Sequence, residues 1–396
     1  MRIRILLFVL FLFSGWAGRA QNQPPVLTNY DQIITGDEQT SVYFPLLRGK
    51  RVAVVANQSS IIGKTQLVDS LLSSGIRVVR IFSPEHGFRG NKSAGAVVKN
   101  GIDKATGLPV ISLYGKHKKP TVDDLKGVDV ILFDLQDVGT RFYTYISTMS
   151  LVMEAGAESH IPVIILDRPN PNGFYVDGPM LKPGYTSFVG MHPVPAVYGM
   201  TIGEYARMVN GEHWLKNGVT CDLTVIPMKK YTRNMMVKLP VKPSPNLPNW
   251  KAVYLYPSLS FFEGTIVSVG RGTDKPFQIY GYPGINGNYV FTPESTPGAS
   301  LHPKLENKTS RGEDLTAFAE NYRKNPPQLH LQWLLKAYHE LSGKHTFFNN
   351  YFDKLAGTDQ LRKQIEAGFT EAQIRQSWQK GLKHFLKIRK KYLLYK

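Results

Sequence analysis

Three short segments of the chain gather acids, arginines, a histidine and aromatics. The first is Ser83-Pro84-Glu85-His86-Gly87-Phe88-Arg89-Gly90. The second runs Asp134-Leu135-Gln136-Asp137-Val138-Gly139-Thr140-Arg141 into Phe142, Tyr143 and Tyr145. The third is Asp167-Arg168-Pro169-Asn170, followed by Asp177-Gly178-Pro179. Carboxylates and tyrosines without a Ser or Cys nucleophile motif suit cleavage of a glycosidic bond. That reaction needs one protonated carboxyl for the leaving oxygen and a second group on the opposite face of the sugar. Glu85, beside His86 and Phe88, is expected to be partly buried, which would raise its pKa and retain the proton. Structural duties compete for each group: an ion pair with Arg89 for Glu85, backbone amides for Asp134 and Asp137, and a buried pair for Asp167 and Arg168. His86 suits a hydrogen bond to a neighbouring group rather than metal ligation, since no second histidine lies at ligand spacing. Farther on, Phe261-Phe262-Glu263-Gly264-Thr265 precedes Gly270-Arg271-Gly272. Flanking glycines let the backbone turn and leave the Arg271 guanidinium to reach an anion such as a substrate carboxylate.

These segments need a frame that brings them to one edge. Val52-Ala53-Val54-Val55, Arg77 to Phe82, Val128 to Phe133 and Ile161 to Leu166 read as buried strands, separated by helical stretches at Leu67–Leu72 and through Met149, Val152 and Met153. Continuous apolar strands alternating with helices predict a parallel sheet with helices on both faces. Ligands of such sheets bind outside the carboxyl ends of the strands, where all three segments fall. The first strand leads into Asn57-Gln58-Ser59-Ser60 rather than Gly-x-Gly-x-x-Gly, so the domain is Rossmann-like in architecture without the dinucleotide fingerprint. The proline-rich stretch Leu239–Trp250 is the domain boundary candidate, giving a Rossmann-like domain over 21–242 and a smaller α/β domain over 243–396. Ala252–Phe262 and Thr265–Val269 read as strands. The last third reads as helical, with Thr370 and Gln373 forming a capping box before an apolar stripe of Ile374, Trp378, Leu382, Phe385 and Ile388.

Residues 1–20 look like an export signal: Arg2 and Arg4, an apolar run Leu6–Phe13, and a small-x-small site with cleavage after Ala20. No later stretch reaches membrane-spanning length. A chain of 396 residues with 42% apolar and 20% charged residues is globular, and its one cysteine excludes a disulfide scaffold. The formal charge of +18 calls for anionic partners. For an exported protein, cell-wall polymer or a membrane surface fits better than nucleic acid. Ala372 to Lys396 carries eight Lys/Arg and no acid.

The blocks SPEHGFRG (83–90), DLQDVGTRFYTYIST (134–148), LDRPNPNG (166–173), VDGP (176–179), GMTIGEYA (199–206), PSPNLPN (243–249), YPSL (256–259), FFEGT (261–265) and VGRGT (269–273) resemble the NamZ-type exo-β-N-acetylmuramidases. The resemblance runs from about Arg51 to the C-terminus. It implies removal of N-acetylmuramic acid from the non-reducing end of peptidoglycan fragments, no cofactor, and a site in the cleft between two domains. It also implies a catalytic pair, here Glu85 and Asp177, the second of which is often glutamate in relatives. Rim loops and blocks together give His86, Arg89, Asp134, Asp137, Arg141, Tyr143, Asp167, Arg168, Asn170, Asn246, Glu263 and Arg271 as substrate-binding candidates. Among the arginines, Arg271 is the expected partner of the lactyl carboxylate, with Arg141 and Arg168 competing. Two other readings stand beside the glycosidase. One is a non-catalytic wall-glycan binder, and the other a metal-dependent hydrolase built on Glu85, His86, Asp134 and Asp137.

Overall fold

The computed structural model describes residues 25–85, 87–89 and 100–396. Its first half is built on a seven-stranded sheet. Across the sheet the strands run Leu223–Ile226, Val163–Leu166, Val130–Asp134, Val52–Ala56, Val78–Ser83, Pro109–Ser112 and Gly101–Ile102. Every pairing is parallel except the last. The four strands expected from sequence are all present.

Their apolar runs are continuous because both faces are covered. Along Val52–Ala56, Ala53 and Val55 pack into one core with Tyr145, Met149 and Val152 of the helix Tyr145–Glu158. Val52, Val54 and Ala56 enter a second core with Tyr43 and Leu47 of the helix Thr40–Leu47 and Leu67, Val68 and Leu71 of the helix Leu67–Ser73. The strand period of two thus deals alternate residues to opposite layers. The chain passes from Val52–Ala56 to one side of the sheet and later returns to its other side at Val130–Asp134. The crevice between those two strand ends is the topological switch point, where this architecture offers a ligand site.

The second half departs from the expected strands. Trp250–Leu259 is an α-helix and Ser260–Gly264 a 3₁₀ turn, while Thr265 and Ser268 form only isolated bridges. Aromatic and branched residues in WKAVYLYPSL mimic a strand, but the Asn249 side chain accepts from Ala252 N at 3.1 Å and caps a helix. Pro257 lies inside that helix and cannot donate to the carbonyl one turn back. Asn172 of the first half donates to that carbonyl, Val253 O, at 3.2 Å instead. A three-stranded sheet follows, with Ser310–Asp314 between Ile279–Tyr282 and Tyr289–Phe291. Helices Gln332–Leu341, Phe352–Ala356, Gln360–Glu366 and Glu371–Lys390 complete the fold.

The capping box of the last helix is formed, with Gln373 N donating to the Thr370 hydroxyl. Ile374, Trp378, Leu382 and Phe385 are its buried stripe, and Ile388 packs partly buried against the same core. Gly381 interrupts the helix for a packing reason: a Cβ there would meet Met180 Cγ at 2.6 Å. The strand Asp177–Met180 therefore lies directly on the helix. One core joins the sheet helices to Tyr256, Phe261, Trp378 and Phe385, so the two halves share their interior. Among the described residues, no helix is long and apolar enough to cross a membrane.

Candidate active site

Glu85 follows the strand Val78–Ser83 and lines a narrow cavity of about 70 Å³ with Tyr143, Tyr145, Asn246, Tyr256 and Arg271. Strand ends of the first half and loops of the second meet there. Asn57, at the end of the central strand, donates to the Tyr145 hydroxyl at 2.7 Å. Tyr143 donates to Pro243 O at 2.8 Å, tying the aromatic wall to the proline-rich stretch. Beyond Asn246 the cleft widens into a cavity of about 480 Å³ walled by Pro245, Pro248, Gly272, Pro276 and Pro297.

The charges in the cavity form a linked set. Arg271 Nε donates to Glu263 Oε1 at 2.7 Å, and its guanidinium lies 4.9 Å from the Phe277 ring centroid. Gly270 and Gly272 adopt φ of +74° and +82°, the left-handed backbone expected around Arg271. Burial works against the charge on Arg271, but Glu263, then Tyr256 and Glu85, outweigh it and hold the guanidinium above its ordinary pKa. Tyr114 is pushed up by burial and by the charge and hydrogen bonding of Glu85. Burial, Glu263 and Glu85 bring Tyr351 to about 12. Both phenols therefore stay protonated as donors. Lys304 donates to the carbonyls of Phe262 at 2.8 Å, Val267 at 3.1 Å and Thr265, knotting the loop that carries Glu263. Burial lowers its pKa to about 8.

The structure brings Glu85, Tyr143, Asn246 and Arg271 to one cavity, with Glu263 behind Arg271. Sequence reasoning missed Tyr114, Tyr256, Tyr351 and Lys304 as members of this set. Of these, Tyr256 alone had a signal, its place in the YPSL block. His86 lies outside the described residues.

The remaining candidates do not line this cavity, and their side chains are engaged by other groups of the protein. Arg89 forks onto Asp103 at 3.0 and 2.8 Å. Arg168 is buried between Asp134 at 2.8 Å and Asp37 at 2.9 Å, with Tyr30 on a third nitrogen. Asp137 accepts from Gly139 N at 2.8 Å and from the Tyr198 hydroxyl, and burial brings its carboxyl to about 6. Asp167 accepts from Gly203 N at 2.8 Å, Thr201 at 2.8 Å and Tyr395 at 2.5 Å, and burial raises it to about 7. Asn170 is buried and donates to Met200 O at 2.7 Å.

Arg141 is fully buried and donates to the carbonyls of Pro179, Val194, Leu355 and Ala356 at 2.6–3.0 Å. Burial alone lowers it to about 10. Neither Arg141 nor Arg168 is placed to read a substrate carboxylate. Asp177 does not line the Glu85 cavity. It accepts from Leu329 N at 2.8 Å and Arg375 Nη1 at 2.6 Å, and it fixes the strand Asp177–Met180 against the last helix. The structure thus does not bring Asp177 to the cavity that Glu85 lines. The residue before Gly178-Pro179 is a hub between strand and helix.

Comparison with known proteins gives the relatives of the chain. Residues 52–251 match the family model described as exo-β-N-acetylmuramidase NamZ, N-terminal, and residues 254–395 match its C-terminal counterpart. The sequence is 41% identical to the peptidoglycan β-N-acetylmuramidase NamZ of Bacillus subtilis strain 168, over 94% of this chain and 92% of that protein. Two crystal structures of DUF1343 family proteins from Bacteroides fragilis NCTC 9343 are similar. One has 48% identity and a TM-score of 0.85, the other 29% and 0.76, each covering 92% of this chain and 99% of its own.

Proposed function

We propose that this chain, which belongs to the NamZ exo-β-N-acetylmuramidase family, is a glycosidase that removes β-linked N-acetylmuramic acid from the non-reducing ends of peptidoglycan fragments. The observation that carries the reading is the Glu85 cavity, where a carboxylate, tyrosines and Arg271 gather at the strand ends. The exo mode is that of the family whose models the chain matches.

In this reading Glu85 protonates the leaving glycosidic oxygen, and its carboxylate then takes a proton from the incoming water. Glu263, the other carboxylate coupled to Arg271, is held in an ion pair. The substrate's own 2-acetamido oxygen therefore serves as the internal nucleophile at the anomeric carbon, the substrate-assisted route. Tyr114 and Tyr351 keep their protons and orient sugar oxygens. The Arg271–Glu263 pair recognises the lactyl carboxylate through the guanidinium nitrogens that Glu263 leaves open. The site lies between two domains that meet near the proline-rich stretch 239–250, and the aglycone occupies the wider cavity beyond Asn246. The mature protein acts outside the cytoplasm after cleavage behind Ala20, which N-terminal sequencing of the exported chain would check.

The deciding assay is release of the chromophore from a β-N-acetylmuramide. Turnover that Glu85→Gln abolishes supports the glycosidase. Binding of the muramide without any release by the wild-type protein would leave a glycan-binding protein instead.

A further inference from the structure

A second concavity, which shares no lining residue with the Glu85 cavity, lies against the strand Asp177–Met180. It has a volume of about 500 Å³ and is lined by Met180 and Lys182, by Gln360 and Gln364, and by one face of the last helix from Ser377 to His384. A volume of that size is within the range of small-ligand sites and matches about one disaccharide. None of the proposed chemistry uses it.

Its chemistry is mixed in a particular way. Lys182, Lys380 and His384 supply cationic or proton-donating groups, and among the described residues no carboxylate lines the cavity. Among the described residues, neither Lys182 nor Lys380 has an acidic partner, although many lysines elsewhere on the surface do. Gln360, Gln364 and Ser377 add side-chain amides and a hydroxyl. Met180, Leu361 and the Trp378 indole give the cavity an apolar floor. Trp378 is 6% exposed, has Arg375 5.9 Å from its ring centroid, and its Nε1–H has no acceptor. Gly381, which lets Met180 approach the helix, shapes the same floor.

From this we infer that the cavity is a second binding site for an anionic amino-sugar oligomer, a stretch of peptidoglycan strand remote from the end being cleaved. Sugar rings present an apolar face to an aromatic and aliphatic floor, acetamido and hydroxyl groups match side-chain amides, and lactyl or peptide carboxylates match unpaired lysines. The charge runs on from the cavity: Lys383, Lys387 and Lys390 continue along the helix, with no acid between Ala372 and Lys396. A strand held here raises its local concentration at the cleft without adding any contact at the cleaved bond. The identity of the ligand rests on the proposed function, but the existence of the site does not.

The test uses the full mature chain. Binding of soluble, uncross-linked peptidoglycan strands is measured by calorimetry for Glu85→Gln and for Glu85→Gln carrying Lys182→Glu and Lys380→Glu. The double charge reversal is expected to weaken binding at least about a hundredfold, the lower end of what a second attachment contributes. Gln364→Ala should weaken it less. Neutral chitin oligomers should bind weakly to both proteins. In the catalytically intact chain, Lys182→Glu with Lys380→Glu should raise KM for strands and leave kcat/KM for the monomeric chromogenic muramide unchanged. Unaltered strand binding would overturn the site. Equal losses on strand and monomer would overturn it too, as would a charge-dependent preference for phosphatidylglycerol vesicles over strands. Absence of muramide turnover by the wild type would instead refute the proposed function, with the strand titration still reporting on the cavity.

Discussion

Arg271 and Glu263 are joined at 2.7 Å, so the one arginine that lines the Glu85 cavity among the described residues is already half-neutralised before substrate arrives. Loss of either partner should impair the other. Arg271→Ala and Glu263→Gln are each expected to lower kcat/KM for the muramide about ten- to a hundredfold, the scale of a charge-assisted hydrogen bond. The double variant should lose little more than either single one, because the pair works as a unit. The corresponding N-acetylglucosaminide, lacking the lactyl group, should change far less. Additive losses, or equal losses on both sugars, would show that the pair only supports its loop.

Glu85→Gln keeps the shape of the cavity and removes the proton. Turnover should fall at least about a hundredfold with the melting temperature preserved, as expected when general acid help is lost. Near wild-type kcat on a substrate with a natural leaving group would refute the assignment.

For Asp177 the expectation is thermal rather than chemical. Asp177→Asn leaves Arg375 without its 2.6 Å carboxylate partner in a mostly buried site. Arg375 keeps Glu371 at 2.8 Å, so a loss of about 1.5–3 kcal/mol is expected, the scale of one hydrogen bond to a charged group. Urea unfolding should show it, while activity per folded molecule stays close to wild type. Abolished turnover at unchanged stability would return Asp177 to the chemistry.

Arg141 donates to four carbonyls, two from the hairpin Asp177–Val197 and two from the helix Phe352–Ala356 of the other half. Arg141→Met removes this donor from all four in the interior, and only Val194 O keeps a backbone donor, Leu181 N at 3.1 Å, among the bonds described. Destabilisation of at least about 3 kcal/mol is expected, since a single orphaned group already carries about 1–3 kcal/mol. Unfolding at the wild-type midpoint would show that the pin is idle.

His192 is buried, lies 2.9 Å from the Ser150 hydroxyl and stacks on Trp214, and burial lowers its pKa to about 4. The unfolded chain therefore takes up this proton first, near the ordinary histidine value of about 6.5. Its contribution to stability is complete above that pH and is lost as pH falls toward 4. The loss is on the order of 3 kcal/mol for a shift of this size. Buried Asp137 and Asp167, raised to about 6 and 7, act in the opposite sense and favour the folded state on acidification over part of the same window. The clean measurement is the difference in unfolding free energy between wild type and His192→Phe from pH 7 to pH 4, which should shrink toward acid. A pH-independent difference would place the histidine's effect in packing alone.

Much of the first half was legible because its strands are buried on both faces. Val52–Ala56 and Val130–Asp134 are unbroken apolar runs, and only a two-layered parallel sheet hides both sides of such runs. Trp250–Leu259 was not legible from composition, since its aromatic and branched residues fit either state. The deciding signal was Asn249, a cap whose meaning depends on one backbone amide. In the site, Glu85 and Arg271 stood out by type and by flanking glycines or prolines. Tyr114, Tyr351 and Lys304 lie in segments with no motif, and only folding brings them within electrostatic reach of Glu85, Glu263 or Arg271. Arg141 and Arg168 misled for the opposite reason. An arginine on a rim loop looks available in a sequence, and whether its donors are already taken is a property of the packed interior.

The bond from Tyr395 to Asp167 sets an order of events. Asp167 stands at the end of a sheet strand in the first half, yet one of its donors arrives more than two hundred residues later. Glu204 likewise waits for Leu394 N, and Arg233 N for Lys396 O. The sheet can assemble first, but its buried acids lack their last partners until the helix Glu371–Lys390 and the residues after it are laid across them. The first half is therefore provisional until that segment is in place.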